Sequence, residues 1–235
     1  RMASVAPVVA VKGNHDPDGD LDFLAKLKTA GPIHVSSAPA VIEIDLPSAA
    51  GSISGLQFSD GQRVMIACIP YPSKAAIVAA GTPHDEIATT AAAALDVIFM
   101  DLGAKLDDAR RRGLPTLALG HVLIGGAVAS TGQPQIGTEL EINESHLARL
   151  GDCPKIFGHI HKHQYVGSGV YAGSICRIDW GETEPKGWLE VAFGPKGWGG
   201  FAGDGPWNSA GDQWDYDLAF RTLPDTNGTV IVCTW

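Results

Sequence analysis

Histidines that follow short apolar runs are the feature of this sequence that could do chemistry. The stretch VVAVKGNHDPDGD, residues 8–20, places Asn14, His15 and Asp16 directly after an apolar run and Gly13. Each of the three side chains can bind a metal ion or move a proton, and glycine permits a sharp turn at the end of a strand. The alternative is an ordinary Asn/Asp turn in which His15 is solvated.

Two later segments repeat this arrangement. PTLALGH ends at His121, and PKIFGHIHKHQYV carries His159 and His161 after an apolar run and a glycine. Because alternate side chains of an extended backbone point to one side, we expect His159 and His161 to face one cavity as metal ligands. The alternatives are exposed edge histidines and, for His121, a satisfied core histidine. His163 lacks a preceding glycine and is expected to be exposed or to lie behind the ligands.

Alternating strands and helices must position these residues. The predicted strands are VVAV, VIEIDL, a hairpin over GLQFSDGQRVMIACIPYP, PTLALGH, PKIFGHIH, a strand and turn over GVYAGSICRIDWGE, GWLEVAFG and GTVIVCTW. Helices are expected after Asp20 as the cap, over residues 83–112 and around residues 144–150. His146, which has no strand and glycine before it, is expected at the surface or in a cap.

The bulk composition is that of a globular protein that can bury a sizeable core. The 235 residues are 45% apolar and 18% charged, with a formal net charge of −9. This charge excludes a broad basic surface that wraps nucleic acid, but it does not exclude a nuclease, because carboxylates and metal ions set the local field of a cleft.

The cellular setting is inferred from cysteine usage and from apolar runs. Four widely spaced cysteines without a CxxC pair predict neither a zinc clamp nor a disulfide framework, so a cytoplasmic protein is expected. The longest apolar stretch, LPTLALGHVLIGGAVAS, is interrupted by His121. We therefore expect no membrane span, and the amino-terminal residues do not indicate a signal peptide.

The motifs Gly-Asn-His-Asp, Gly-His and Gly-His-x-His, in this order and each after a predicted strand, resemble the calcineurin-like metallophosphoesterase superfamily. The blocks IACIPYPSK, LALGHVLIGGAVAS and IFGHIHKHQYVGSGVYAGSICRIDWGETEPKGWLEV resemble the SbcD type of DNA repair nuclease, over roughly residues 6–193. The tail block, YAGS…DWGE…KGWLEV, separates this branch from ordinary phosphatases. The resemblance implies an α/β fold, a four-layer α/β/β/α metallophosphoesterase sandwich that lacks its first βα units in this chain.

The same resemblance implies a two-metal centre. Asn14, His121 and His159 match the ligands of one metal, and His161 matches a ligand of the other. Manganese is the family expectation, and iron or zinc would also suit imidazole and amide ligands. Two ions about 3.5–4 Å apart can clamp both phosphate oxygens during in-line attack.

Three further roles concern the substrate. His15 matches the catalytic histidine that contacts the scissile phosphate, and Asp16 matches the residue that orients it. Arg177, Gly173 and Ser174 are expected near the same cleft, because the YAGSICR turn follows the histidine strand by one hairpin. Arg177 either faces phosphate or forms an ion pair with a nearby acidic residue, Asp179 or Glu182.

The implied activity is hydrolysis of DNA phosphodiesters, as an exonuclease or endonuclease subunit beside an SbcC-like coiled-coil ATPase, with a homodimer also expected. The Asp-x-His and Gly-Asp-x-x-Asp motifs of the family do not precede Gly13, so residues 1–193 are expected to be an incomplete nuclease core of a longer protein. Residues 194–235 would leave that core toward a capping domain, with a surface loop over residues 194–215. The alternatives are a phosphoesterase of small substrates and a non-catalytic scaffold.

Overall fold

The computed structural model describes residues 3, 6–45, 63–77, 83, 85–133, 139–195, 208–210 and 214–222. The strands and helices in chain order are β1 (Val8–Val11), α1 (Asp22–Ala25), β2 (Ile33–Ser36), β3 (Ala40–Asp45), β4 (Arg63–Ile69), α2 (Lys74–Ile77), α3 (Ile87–Arg111), β5 (Thr116–His121), β6 (Leu123–Ile124), β7 (Glu141–Ile142), α4 (Glu144–Arg149), β8 (Lys155–Gly158), β9 (Gln164–Val166), β10 (Gly169–Tyr171), β11 (Gly187–Pro195), β12 (Asn208–Ala210) and β13 (Trp214–Thr222). The fold is of mixed α/β type.

A six-stranded mixed sheet, in the order β3-β4-β5-β8-β10-β9, forms the centre of the molecule. Strands β4, β5, β8 and β10 are parallel, whereas β3 and β9 pair antiparallel at the two edges. His121 at the end of β5 is aligned with Gly158 at the end of β8. The two histidine segments therefore meet at the carboxyl edge of the parallel strands, where ligands of α/β proteins gather.

The two faces of this sheet bury different partners, because successive side chains of a strand point to opposite faces. On one face, Ala118 and Phe157 belong to the largest apolar core, which also contains residues of α3 and α4. On the other face, Ile156 packs with Leu189 of β11 and Leu218 of β13. The antiparallel sheet β11-β13-β12 thus lies against the face opposite the helices.

Strand β1, which leads into the Asn14 loop, pairs with β2 in parallel. Its Val9 and Val11 side chains pack against a third core that includes Ile66 and Cys68 of β4. β1 also contacts β5 directly. This packing places the end of β1 beside the end of β5, which is the contact that the site requires.

Among the described helices, α3 is the one that is long and apolar enough, by length and composition, to cross a membrane. Its buried stripe includes Leu95, Phe99 and Leu102, which belong to the core beneath the central sheet. The last turn carries Arg110 and Arg111, whose positive charges interact favourably with the negative end of the helix dipole. Its apolar stripe thus packs inside the protein. The predicted helix over residues 83–112 is confirmed, although it begins later, at Ile87, and ends one residue earlier, at Arg111.

Three expectations from the sequence need correction. The first helix is only Asp22–Ala25, with Leu21 rather than Asp20 at its cap, because apolar residues such as Phe23 and Leu27 stay exposed and stabilise no longer helix. Strand β4 pairs with β3, while residues 55–62 of the predicted hairpin lie outside the described residues.

The expected loop over residues 194–215 is also wrong in part. β11 continues to Pro195, β12 spans Asn208–Ala210, and β13 begins at Trp214. The pairing of β13 along the whole of β11 overrides a composition of Gly, Trp and Asp that favours turns. The predicted strand GTVIVCTW lies outside the described residues.

Candidate metal centre

The ends of β1, β5 and β8 bring three of the predicted ligands together. Asn14 Oδ1 lies 2.8 Å from His121 Nε2, although 107 positions separate these residues in the chain. The rings of His121 and His159 meet edge to face, with their centroids 5.2 Å apart. His121 is 5% exposed, so it reaches this position from inside the protein. We call Asn14, His121 and His159, together with Glu139 and Tyr71, the first cluster.

Two further side chains of the first cluster were not predicted from the sequence. Glu139 Oε2 lies 3.0 Å from His159 Nε2, and its side chain is only 6% exposed. The Tyr71 hydroxyl donates to Glu139 Oε1 at 3.2 Å, and the tyrosine ring lies beside both His121 and His159. Tyr71 lies in the IACIPYPSK block, whose resemblance to SbcD-type nucleases could have pointed to it. Glu139 follows no predicted strand, so no feature of the sequence pointed to it.

Gly13 makes room for the first cluster rather than a special turn. It is not among the described glycines with positive φ. A Cβ at this position would lie 2.9 Å from His121 Cε1 and 3.0 Å from His121 Nδ1. Only glycine therefore lets the Asn14 loop approach the imidazole this closely.

The backbone of His159 is strained, and this corrects the expectation of an extended histidine strand. β8 ends at Gly158, and His159 has a φ of 97°, a conformation that non-glycine residues rarely adopt. Gln133 holds the segment on both sides: its Nε2 donates to the His159 carbonyl at 2.6 Å, and its Oε1 accepts from the His161 N–H at 3.0 Å. Strain of this kind, held in place by surrounding contacts, is concentrated at functional sites.

A second cluster surrounds His161. His161 Nδ1 lies 2.9 Å from Glu182 Oε1, and the other carboxylate oxygen pairs with Lys186 Nζ at 2.7 Å. Lys186 also donates to Ser174 Oγ at 2.8 Å and approaches Glu184 Oε1 at 3.3 Å. The Glu182 side chain is fully buried. We call His161, Glu182, Lys186, Ser174 and Glu184 the second cluster.

Electrostatics favour the neutral imidazole of His121. Burial, followed by repulsion from His159, His15 and His161, lowers the pKa of the His121 imidazole to about 3. Burial, followed by the negative charge of Glu139, raises the pKa of Tyr71 to about 12. His121 therefore stays in the neutral form that binds metal ions.

In the second cluster the carboxylates stay ionised. Burial by itself would raise the pKa of Glu182, but hydrogen bonds from Lys186, the Ile178 N–H and His161 outweigh it and lower the pKa overall. Glu184 behaves in the same way, with the Ser130 hydroxyl as the main donor, and its pKa lies at about 2.

His15 and Asp16 lie on the loop after β1. His15 is exposed, beside the first cluster whose His121 it repels. Asp16 Oδ2 accepts from the Gly13 N–H at 2.8 Å, so the carboxylate closes the loop that carries His15. This contact shapes the loop through its backbone, and its role toward the His15 ring stays a prediction.

The YAGSICR turn lies against the histidine segment, as expected. Gly173 has a φ of 80°, and a Cβ there would meet the backbone of His161 and His163. The Ser174 N–H donates to the His161 carbonyl at 2.9 Å. Arg177 is exposed and forms no ion pair among the described residues, because Glu182 is occupied by His161 and Lys186.

Two histidines outside the clusters have structural roles. His163 Nδ1 bonds to the Tyr171 carbonyl at 2.7 Å, and its ring stacks on Phe220 with the centroids 3.9 Å apart. His146 forms a capping box with Asn143 at the start of α4, which confirms the expected capping role.

The donors of the first cluster fit a divalent ion by type and spacing. Two ligands with bonds of about 2.0–2.2 Å to one ion lie about 3 Å apart, and two such imidazoles have ring centres about 5 Å apart. The 2.8 Å Asn14–His121 distance, the 3.0 Å His159–Glu139 distance and the 5.2 Å ring separation agree.

The donors contact one another in two pairs, Asn14 with His121 and His159 with Glu139. The described residues contain no group of three or more His, Cys, Asp or Glu side chains already arranged to hold an ion. Binding of an ion would therefore draw the two pairs together. No protein-family model matches the chain. The likeness to metallophosphoesterases thus stays a prediction that rests on the motifs.

Proposed function

We propose that this protein is a metal-dependent phosphodiesterase that hydrolyses DNA, a nuclease of the SbcD type. The observation that carries the proposal is the convergence of Asn14, His121 and His159 at the ends of three strands. Two imidazoles, an amide oxygen and the nearby Glu139 carboxylate make a donor set that suits manganese, iron or zinc. The four-layer α/β/β/α sandwich belongs to this proposal, since helices cover one face of the central sheet and strands cover the other.

The proposed chemistry divides the residues by role. Asn14, His121 and His159 would hold one ion, and His161 would be a ligand of the other. The ions, when bound, supply positive charge at the phosphate and activate the attacking water. His15, which is exposed beside the first cluster, would donate a proton to the leaving oxygen, because imidazole has a pKa near 6.5 and can donate near neutral pH.

DNA rather than a small ester is favoured by the surface beside the second cluster. Arg177 is exposed, and Trp180 is fully exposed three positions later. A guanidinium group suits phosphate, and an exposed indole suits stacking on a base. An SbcC-like ATPase partner and a homodimer are proposed by resemblance alone, and a cytoplasmic location is proposed from the cysteine usage of the chain.

The test compares two substrates with manganese present. We expect the purified protein to hydrolyse linear duplex DNA and to act far less on a nitrophenyl phosphate ester, with both activities abolished by a chelator. Preference for the nitrophenyl ester would indicate a phosphoesterase of small substrates. Absence of both activities, with the same metal supplied, would favour the non-catalytic scaffold and contradict the proposal.

A further inference from the structure

Glu182 is a buried carboxylate held by three partners in and beside the second cluster. Oε1 faces His161 Nδ1 at 2.9 Å, and Oε2 accepts from Lys186 Nζ at 2.7 Å and from the Ile178 N–H at 3.1 Å. The side chain has no solvent exposure. Burial of a carboxylate is costly unless it is paired and hydrogen-bonded, so three partners at one carboxylate indicate a position that tolerates little change.

The contact with Glu182 determines which nitrogen of His161 carries the proton. An ionised carboxylate only accepts hydrogen bonds, so Nδ1 must be the donor. The neutral ring then keeps its lone pair on Nε2, at the other side of the ring from Glu182. His161 is 26% exposed at its side chain, so Glu182 fixes the ring while leaving it accessible.

Lys186 fixes the backbone of the same histidine. Its ammonium group donates to the His161 carbonyl at 3.1 Å as well as to Glu182, and its side chain is 8% exposed. Ser174 contributes a second contact, because its N–H donates to the same carbonyl at 2.9 Å. The ring and the backbone of His161 are therefore held by one connected network.

We propose that Glu182, held by Lys186, is a positioning residue that presents His161 Nε2 to a divalent metal ion. The inference rests on the proposed function, because it assumes that His161 is a metal ligand. It assigns a physical role to the DWGE and KGWLEV part of the tail block. A carboxylate behind a metal-binding imidazole selects the tautomer and the orientation of the ring, and its loss typically weakens metal affinity roughly 10–100-fold.

The first cluster places its carboxylate differently. Glu139 faces His159 through Nε2, whereas Glu182 faces His161 through Nδ1. Glu139 lies among the candidate ligands of the first cluster, with the Tyr71 hydroxyl on its other oxygen, whereas both oxygens of Glu182 are taken up by His161, Lys186 and the Ile178 N–H. Replacement of Glu139 should therefore remove a candidate metal ligand, whereas replacement of Glu182 should release the His161 ring.

Glu190 provides a matched control for a Glu182 variant. Both carboxylates form an ion pair, but Glu190 pairs with Arg221 and lies outside both clusters. We expect Glu182→Gln to weaken binding of Mn²⁺ at the His161 position roughly 10–100-fold by calorimetry, and to change the visible absorption of bound Co²⁺. Glu190→Gln should leave both readouts as in the wild type. Equal effects of the two variants, or no effect of Glu182→Gln, would overturn the positioning role.

A second measurement needs neither metal nor a variant. Nitrogen NMR of the imidazole rings in the metal-free protein should show His161 as the tautomer protonated at Nδ1. Protonation at Nε2 would overturn the inference even if Glu182→Gln does not fold. Failure of the wild type to bind Mn²⁺ at all would instead overturn the proposed function, and the inference with it. His161→Ala, which should lose the same binding step, identifies the affected position.

Discussion

The first and second clusters hold their histidines in opposite ways. In the first cluster, Asn14, His121 and His159 come from three separate strand ends, and their direct contacts with one another are uncharged. The second cluster lies within one stretch of chain, residues 161–186, and an ion pair between Glu182 and Lys186 anchors it. The first is assembled by the fold as a whole, and the second is built locally.

This difference predicts different costs of metal binding. In the first cluster, burial keeps the His121 imidazole neutral and the backbone of His159 is strained, so its donors gain a partner when an ion binds. In the second cluster, the charges of Glu182 and Lys186 already neutralise each other. We therefore expect metal to affect the stability of the first cluster more than that of the second.

The largest expected effect is loss of a ligand from the first cluster. His121→Ala and His159→Ala should bind Mn²⁺ more weakly by more than the roughly 10–100-fold expected for a residue that stands behind a ligand, and should lose DNA hydrolysis. Metal content of the purified variants, measured beside Glu182→Gln, checks this ranking. A smaller loss for His121→Ala than for Glu182→Gln would reverse the comparison between the clusters.

A smaller effect is expected from His15→Ala, because we propose that His15 acts on the phosphate and not on the metal. Turnover should fall roughly 10²–10⁴-fold while metal content stays as in the wild type. Single-turnover cleavage with metal analysis of the same sample separates the two properties. Loss of metal from this variant would place His15 among the ligands, and retained turnover would return the GNHD stretch to an ordinary turn.

Stability against pH should separate the two clusters. The folded pKa of His121 lies at about 3, below its ordinary value of 6.5, so the unfolded state takes up a proton first as pH falls. The contribution of His121 to the free energy of unfolding is therefore complete above pH 6.5. It is lost between pH 6.5 and 3, at about 1.4 kcal/mol per pH unit. The lowered pKa of Glu182 makes its contribution decline only below its ordinary value of 4.5.

Denaturant unfolding of chelator-treated protein between pH 7 and 5 measures this slope. The matched control is His121→Gln, which should flatten it, because the titrating imidazole is gone. An unchanged slope in His121→Gln would show that other groups cause the pH dependence.

The smallest effect concerns the strain at His159. Glycine normally destabilises an ordered position relative to alanine by about 0.5–1 kcal/mol, but a φ of 97° reverses this order because alanine retains the Cβ clash. His159→Gly should therefore be more stable than His159→Ala by about 1 kcal/mol. The two variants lose the same imidazole contacts, so the difference in their unfolding free energies reports the backbone alone. The usual order would show that His159 is unstrained.

The strands that carry the histidines were predictable from the sequence because buried parallel strands leave continuous apolar runs. PTLALGH and PKIFGHIH are such runs, and they contain β5 and β8 of the central sheet, although β8 ends at Gly158. β13 was missed because WDYDLAFRT alternates polar and apolar residues beside turn-forming neighbours. Its strand state depends on pairing with β11, which no local pattern encodes.

The site was predictable where glycine and histidine follow a strand, and not elsewhere. Glu139 and Gln133 reach the histidines through tertiary contacts from segments without a strand signal. Glu182 stood in a recognised block, but its bond to His161 crosses 21 positions of the chain. Residue type and spacing thus predicted that Asn14, His121 and His159 lie together, while the residues that hold them required the structure.

The most direct test of the central claim is a crystal structure of the protein soaked with Mn²⁺, with anomalous scattering used to locate the ion. We expect an anomalous peak within about 2.5 Å of Asn14 Oδ1, His121 Nε2 and a His159 ring nitrogen. No peak there, with Asn14 and His121 still joined at 2.8 Å in the soaked crystal, would contradict the claim that the first cluster is a metal centre.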